Sequence, residues 1–82
     1  MNMQPQFETA PEVTAISKIL TELGRTLEQI DSDIAAEAER AKISDRFRHP
    51  MLAKSLIERR DNITMTVAAL RRRLTELAAT AA

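Results

Sequence analysis

Cysteine, tryptophan and tyrosine are absent from the 82 residues, glycine occurs once (Gly24), histidine once (His49), phenylalanine twice and proline three times. Each scarcity excludes something. Without cysteine there are no disulfide staples and no thiolate metal sites. With almost no aromatics a core has to be made from Leu, Ile, Val, Ala and Met, which suits helix seams better than a pleated sheet. With Gly24, Pro5, Pro11 and Pro50 as the only strong breakers, the chain has few places to turn. No apolar run approaches the roughly 18 residues a membrane span needs. The start MNMQPQFE has neither the basic beginning nor the apolar stretch of a signal peptide. The expectation is a soluble, cytoplasmic, all-α protein.

Catalytic chemistry is missing in the same way. There is no phosphate-cradling glycine loop, and His49 has no second histidine or cysteine with which to complete a zinc site. Asp31, Asp33, Glu37 and Glu39 are acids on a helix spacing that spreads them over several faces, which reads as a solvated surface rather than a cation site. No enzyme, no cofactor, no metal and no small-molecule substrate are expected.

What the chain does contain is a long three-and-four periodicity. Thr9 and Glu12 have the spacing of a capping box, Pro11 fits a first helical turn, and apolar positions begin at Val13. Val13, Ile16, Leu20, Leu23, Leu27, Ile30 and Ile34 then occupy successive a and d sites of a heptad, followed by Glu37 and Ala41. SDRFRHP interrupts the pattern, because a residue preceding proline avoids the helical region and Pro50 itself is suited to open a new helix. The alternation resumes through Ala53, Leu56, Arg60, Ile63, Val67, Leu70, Leu74, Leu77 and Ala81. This predicts a flexible segment over 1–8, a helix over about 10–44, a turn over about 45–49 and a helix over about 50–80. The two helices would form an antiparallel coiled-coil hairpin.

In such a hairpin a sites face d sites, and the layers can be matched by number. Pairing Ala41 with Leu56, Ile34 with Ile63, Ile30 with Val67, Leu27 with Leu70, Leu23 with Leu74, Leu20 with Leu77 and Ile16 with Ala81 also sets Glu37 opposite Arg60. The one acid of the first seam thereby meets the one base of the second. Two outcomes are open: a buried core pair that penalises slipped registers, or two long side chains that reach solvent near the turn.

Charge is balanced overall but divided along the chain. Residues 1–39 hold two bases and eight acids, a net −6; residues 40–82 hold ten bases and four acids, a net +6. The halves complement each other within a hairpin.

A single two-helix seam is close to the lower size limit for a self-sufficient core. Ile19, Gly24, Ala38, Ile57, Met65 and Ala78 are candidates for a further association flank, several of them small enough for close approach by another helix. Gly24 is either merely tolerated or present to admit a neighbour. Self-association into a four-helix bundle homodimer follows, or capture of another protein's amphipathic helix. That makes the chain a non-enzymatic protein–protein interaction module such as a small adaptor, scaffold or secretion-type chaperone.

The alternative is a small nucleic-acid-binding regulator. Arg71, Arg72 and Arg73 form a basic run on the second helix, and Arg46 and Arg48 flank Phe47 in the turn, a composition that meets phosphates and stacks on an unpaired base. Against it, three consecutive arginines point to different faces of a helix, and the acidic first helix lies alongside. Phe47 has two readings of its own, an external contact or a cap folded over Leu52 and Ile43.

Overall fold

The computed structural model describes the backbone of residues 4–43 and 50–81, and the side chains of 10–43 and 50–80. It is all helical. Helix α1 runs Gln4–Ile43 over 40 residues and α2 runs Pro50–Ala81 over 32, and the two pack against each other as a hairpin. The turn over 45–49, with Arg46, Phe47, Arg48 and His49, lies outside the described residues.

Two long uninterrupted helices follow from the near absence of breakers and from threonines whose hydroxyls are satisfied locally. Thr21, Thr26, Thr64, Thr66, Thr75 and Thr80 each donate to the carbonyl four residues back, at 2.8–3.1 Å. Along the helices, Lys42–Glu39 at 3.2 Å, Lys54–Glu58 at 4.0 Å and the Gln29–Asp33 hydrogen bond at 3.0 Å add exposed support at three- and four-residue spacing. α1 begins earlier than the Thr9–Glu12 capping box predicts: helical backbone continues through Pro11 as far back as Gln4, into the segment expected to be flexible. Proline within a helix forfeits one hydrogen bond, here to the carbonyl of Phe7, and crowds that carbonyl, while the turns on either side keep their own bonds.

The molecule is thin, with extents of 67 × 15 × 14 Å. On α2 the shielded positions between 50 and 80 are Ala53, Leu56, Arg60, Ile63, Val67, Leu70, Leu74 and Leu77, and every other position there is exposed. On α1, Ile16, Ile30 and Glu37 are buried and Leu20, Leu23, Leu27, Ile34 and Ala41 are half-buried. Val13 is 37% exposed, so the first seam position contributes little to the core.

The register differs from the expected one by a heptad. Arg73 binds Glu12 with Nε–Oε2 at 2.7 Å and Nη2–Oε1 at 3.1 Å. In the layer scheme that sets Glu37 opposite Arg60, Arg73 would stand level with Gly24, about 18 Å along the axis from Glu12. Extended Arg and Glu side chains with a bond between them span roughly 14 Å, too short for that offset. Sliding α2 by seven residues puts Arg73 level with Ser17, about 7.5 Å from Glu12, within reach. The same slide brings Arg60 level with Ile30, beside the Asp31 carboxylate that its Nη1 meets at 3.7 Å. It also places Ala53 level with Glu37; those two residues line one open cavity with Ile34, Ala38, Ala41 and Pro50. The central layers are therefore Ile34 with Leu56, Ile30 with Arg60, Leu27 with Ile63, Leu23 with Val67, Leu20 with Leu70 and Ile16 with Leu74.

Candidate association surface

Among the described residues no ion pair joins Glu37 to Arg60. Glu37 is buried, 4% exposed, and its Oε2 lies 3.6 Å from Arg40 one turn further on, which is not its whole set of partners. Arg60 instead extends to the edge of the seam, between Asp31 across the helix pair and Asp61 beside it at 3.9 Å. The cause is the register: with Arg60 level with Ile30, the nearest acid across the seam is Asp31, on the flank, and Glu37 stands opposite Ala53.

Two cross-helix ion pairs among the described residues mark the two flanks. Glu12 and Arg73 join across one side of the seam, and Asp31 is joined to Arg60 across the other. Residues seven apart share a flank, so Ile19 lies on the Glu12 side. Gly24 and Ala38 share the side of Asp31, and on α2 so do Ile57, Thr64, Arg71 and Ala78. The six candidate flank residues therefore do not form one patch. Gly24, Ala38, Ile57 and Ala78 lie together; Ile19, 46% exposed, is on the opposite flank; and Met65, 71% exposed, lies on the outer face of α2.

Gly24 is half-buried, yet a β-carbon placed on it would meet nothing within 4 Å. The hairpin's own packing does not require a glycine there. Thr64, on the same flank, spends its hydroxyl on the Arg60 carbonyl of its own helix at 2.8 Å.

The three consecutive arginines have different surroundings. Arg73 is held by Glu12 and, at 3.6 Å, by Glu76. Hydrogen bonding from Arg73 is the main cause that lowers the pKa of the Glu12 carboxyl, desolvation opposes it, and the positive charge of Arg73 adds a still smaller lowering; the same pairing raises that of Arg73. Arg71 and Arg72 are exposed and have no ion-pair partner among the described residues. The sequence marks Glu12 as a capping-box residue and Asp31 as a solvated acid, neither as a partner reaching across the seam. The one signal for them was the opposite net charge of the two halves of the chain, which requires acids of α1 to meet bases of α2 without saying which.

No described helix is long and apolar enough to cross a membrane. No protein-family model, no curated protein and no solved structure matches this chain.

Proposed function

We propose that the chain is a non-enzymatic protein–protein interaction module of the cytoplasm, a coiled-coil hairpin that acts as an adaptor, scaffold or chaperone-like protein through helix association. Its first association is with itself, as a homodimeric four-helix bundle, and an amphipathic helix of another protein is the alternative occupant of the same surface. One observation carries the reading. The hairpin exposes 6397 Å², whereas a compact folded monomer of 9.2 kDa exposes about 4,900 Å². The excess of roughly 1,500 Å² per chain exceeds the roughly 800 Å² per partner that a specific interface of standard size removes from solvent. Apolar side chains contribute to it, with Ile19, Leu52, Ile57 and Met65 all more than 40% exposed.

Sedimentation equilibrium over a wide concentration range, with helicity followed by circular dichroism on the same samples, tests this. A helical dimer that dissociates only on dilution supports self-association. A stable, fully helical monomer at all concentrations refutes it. A poorly helical chain that becomes helical only with an added partner moves the reading to the other occupant.

A second reading, a small nucleic-acid-binding regulator, draws on Arg59, Arg71 and Arg72, exposed bases without an ion-pair partner among the described residues. It requires binding that weakens steeply with salt and is lost when Arg71 and Arg72 are replaced by Ala. Absence of binding to single- and double-stranded oligonucleotides at low salt removes it.

A further inference from the structure

We infer that the docking surface for a second copy is the Asp31 flank, and that the two copies meet antiparallel about a two-fold axis that crosses the hairpin at the level of Arg25. This rests on the self-association proposed above and adds which face is used and in what orientation. In the register fixed by the ion pairs, four pairs of positions on this flank lie symmetrically about that level: Gly24 and Thr64 one residue to either side, Arg71 and Asp31 six, Ser17 and Ile57 eight, and Ala78 and Ala38 thirteen. Seven-residue spacing makes the positions symmetric; the side chains at them give the symmetry chemical sense. A half-turn about the axis lays α1 on the other α1 and α2 on the other α2. It carries Arg71, which has no ion-pair partner among the described residues, to the level of the other copy's Asp31 on the diagonally opposed helix, so that the two would meet across the centre of the bundle.

Asp31 can take a second cation. Its side chain is 61% exposed and its contact with Arg60 is 3.7 Å, longer than a direct hydrogen bond. A two-fold axis parallel to the helices would instead leave Arg71 at the level of residue 19 of the other α1, between Ser17 and Gly24 of the same flank, where no acid waits. Apart from Ile57, whose exposed apolar side chain the contact would cover, small residues occupy the other symmetric positions. Gly24, next to the axis, has open space where a β-carbon would go, and a helical glycine costs about 1 kcal/mol relative to alanine. The hairpin alone offers no compensation for it, whereas two α1 backbones approaching at this level do. Thr64, also beside the axis, makes no polar demand on a neighbour because its hydroxyl is bonded to its own helix. The area agrees as well. Two separate hairpins expose 2 × 6397 Å², and a compact particle of twice the mass exposes about 8,200 Å². Burial of up to roughly 4,600 Å² is within the range of obligate homodimers.

The chain lacks cysteine, so single-cysteine variants of the full chain report the contact directly. Gly24→Cys is expected to form an intermolecular disulfide rapidly under mild oxidation, while Ile19→Cys on the opposite flank and Met65→Cys on the outer face remain reduced. Arg71→Glu is expected to raise the dimer dissociation constant by about tenfold, an effect that shrinks with added salt. If sedimentation shows a dimer but Ile19→Cys or Met65→Cys cross-links and Gly24→Cys does not, this surface is wrong and self-association stands. A wild-type chain that stays monomeric overturns both. A dissociation constant unchanged in Arg71→Glu overturns the antiparallel pairing of Arg71 with Asp31.

Discussion

The seam contains two charged residues, Glu37 near the turn and Arg60 near the middle, and their surroundings differ sharply. Glu37 is sealed in, its side chain 6% exposed, while the Arg60 side chain is 39% exposed and ends among carboxylates at the edge. Side-chain length accounts for the contrast. An arginine carries its charge far enough from the backbone to lay its stem along Ile30 and place the guanidinium in water, whereas a glutamate at an equivalent position keeps its charge close to the seam. The same type of seam position therefore imposes a desolvation cost on the acid and almost none on the base. A charge in a heptad seam is thus no guide to burial until its reach is considered.

The largest expected effect comes from breaking the layer that Arg60 shares. Ile30 is the most completely buried side chain of the hairpin, 2% exposed. Ile30→Ala should cost about 2–5 kcal/mol and leave the chain largely unfolded at room temperature by circular dichroism, because a core this small has little reserve. Val13→Ala, at a position already 37% exposed, should cost well under about 1 kcal/mol. Equal losses from the two would mean that the seam is not graded from middle to end.

The comparison itself is sharpened by replacing each charge with leucine. Glu37→Leu removes a buried carboxylate that has Arg40 among its partners, and should shift stability in thermal melts by more than the same change at the exposed Arg60 does. Arg60→Leu exchanges exposed ion pairs for apolar contact with Ile30 and should change stability by no more than about 1 kcal/mol in either direction. A loss of several kcal/mol in Arg60→Leu would place the guanidinium in the core and reverse the contrast.

These two residues also mark where sequence reasoning stops. The fold class was legible because the three-and-four spacing on both sides of SDRFRHP permits little but two long paired helices, and the same spacing carries the burial pattern of α2 from Ala53 to Leu77. The register was not. A heptad pattern slid by seven residues again presents apolar layers to apolar layers, so hydrophobicity hardly distinguishes the two alignments. The one apparent discriminator, acid opposite base at Glu37 and Arg60, favoured the wrong one, since a long base needs no partner in its own layer. The bonds that decide the register lie on the flanks, at Glu12–Arg73 and Asp31–Arg60, where many acids and bases are available and sequence alone does not choose among them. The helical stretch ahead of Pro11 was missed for a related reason: a capping-box spacing and a proline resemble a helix start whether or not the backbone is already helical.

The Glu12–Arg73 pair gives the smallest effect and the most direct check on the register. Hydrogen bonding by Arg73 holds the Glu12 pKa below its ordinary 4.5, so the charged carboxylate is favoured in the folded hairpin more than in the unfolded chain. A group whose pKa is lowered on folding contributes stability that is fully present above its unfolded value and is lost as the pH falls through its folded one. Wild type and Glu12→Gln should therefore differ slightly in melting temperature at neutral pH, and the difference should shrink as the pH falls below about 4.5 and vanish once the pH is below the lowered folded value. Both partners are exposed, so added salt should shrink the difference at neutral pH as well. Arg73→Gln should show that loss plus any small contribution of its exposed contact with Glu76, and the double variant should show no more than Arg73→Gln alone, since both substitutions remove the Glu12–Arg73 interaction. Additive losses would mean that Glu12 and Arg73 act independently, and the alignment that brings them together would have to be abandoned.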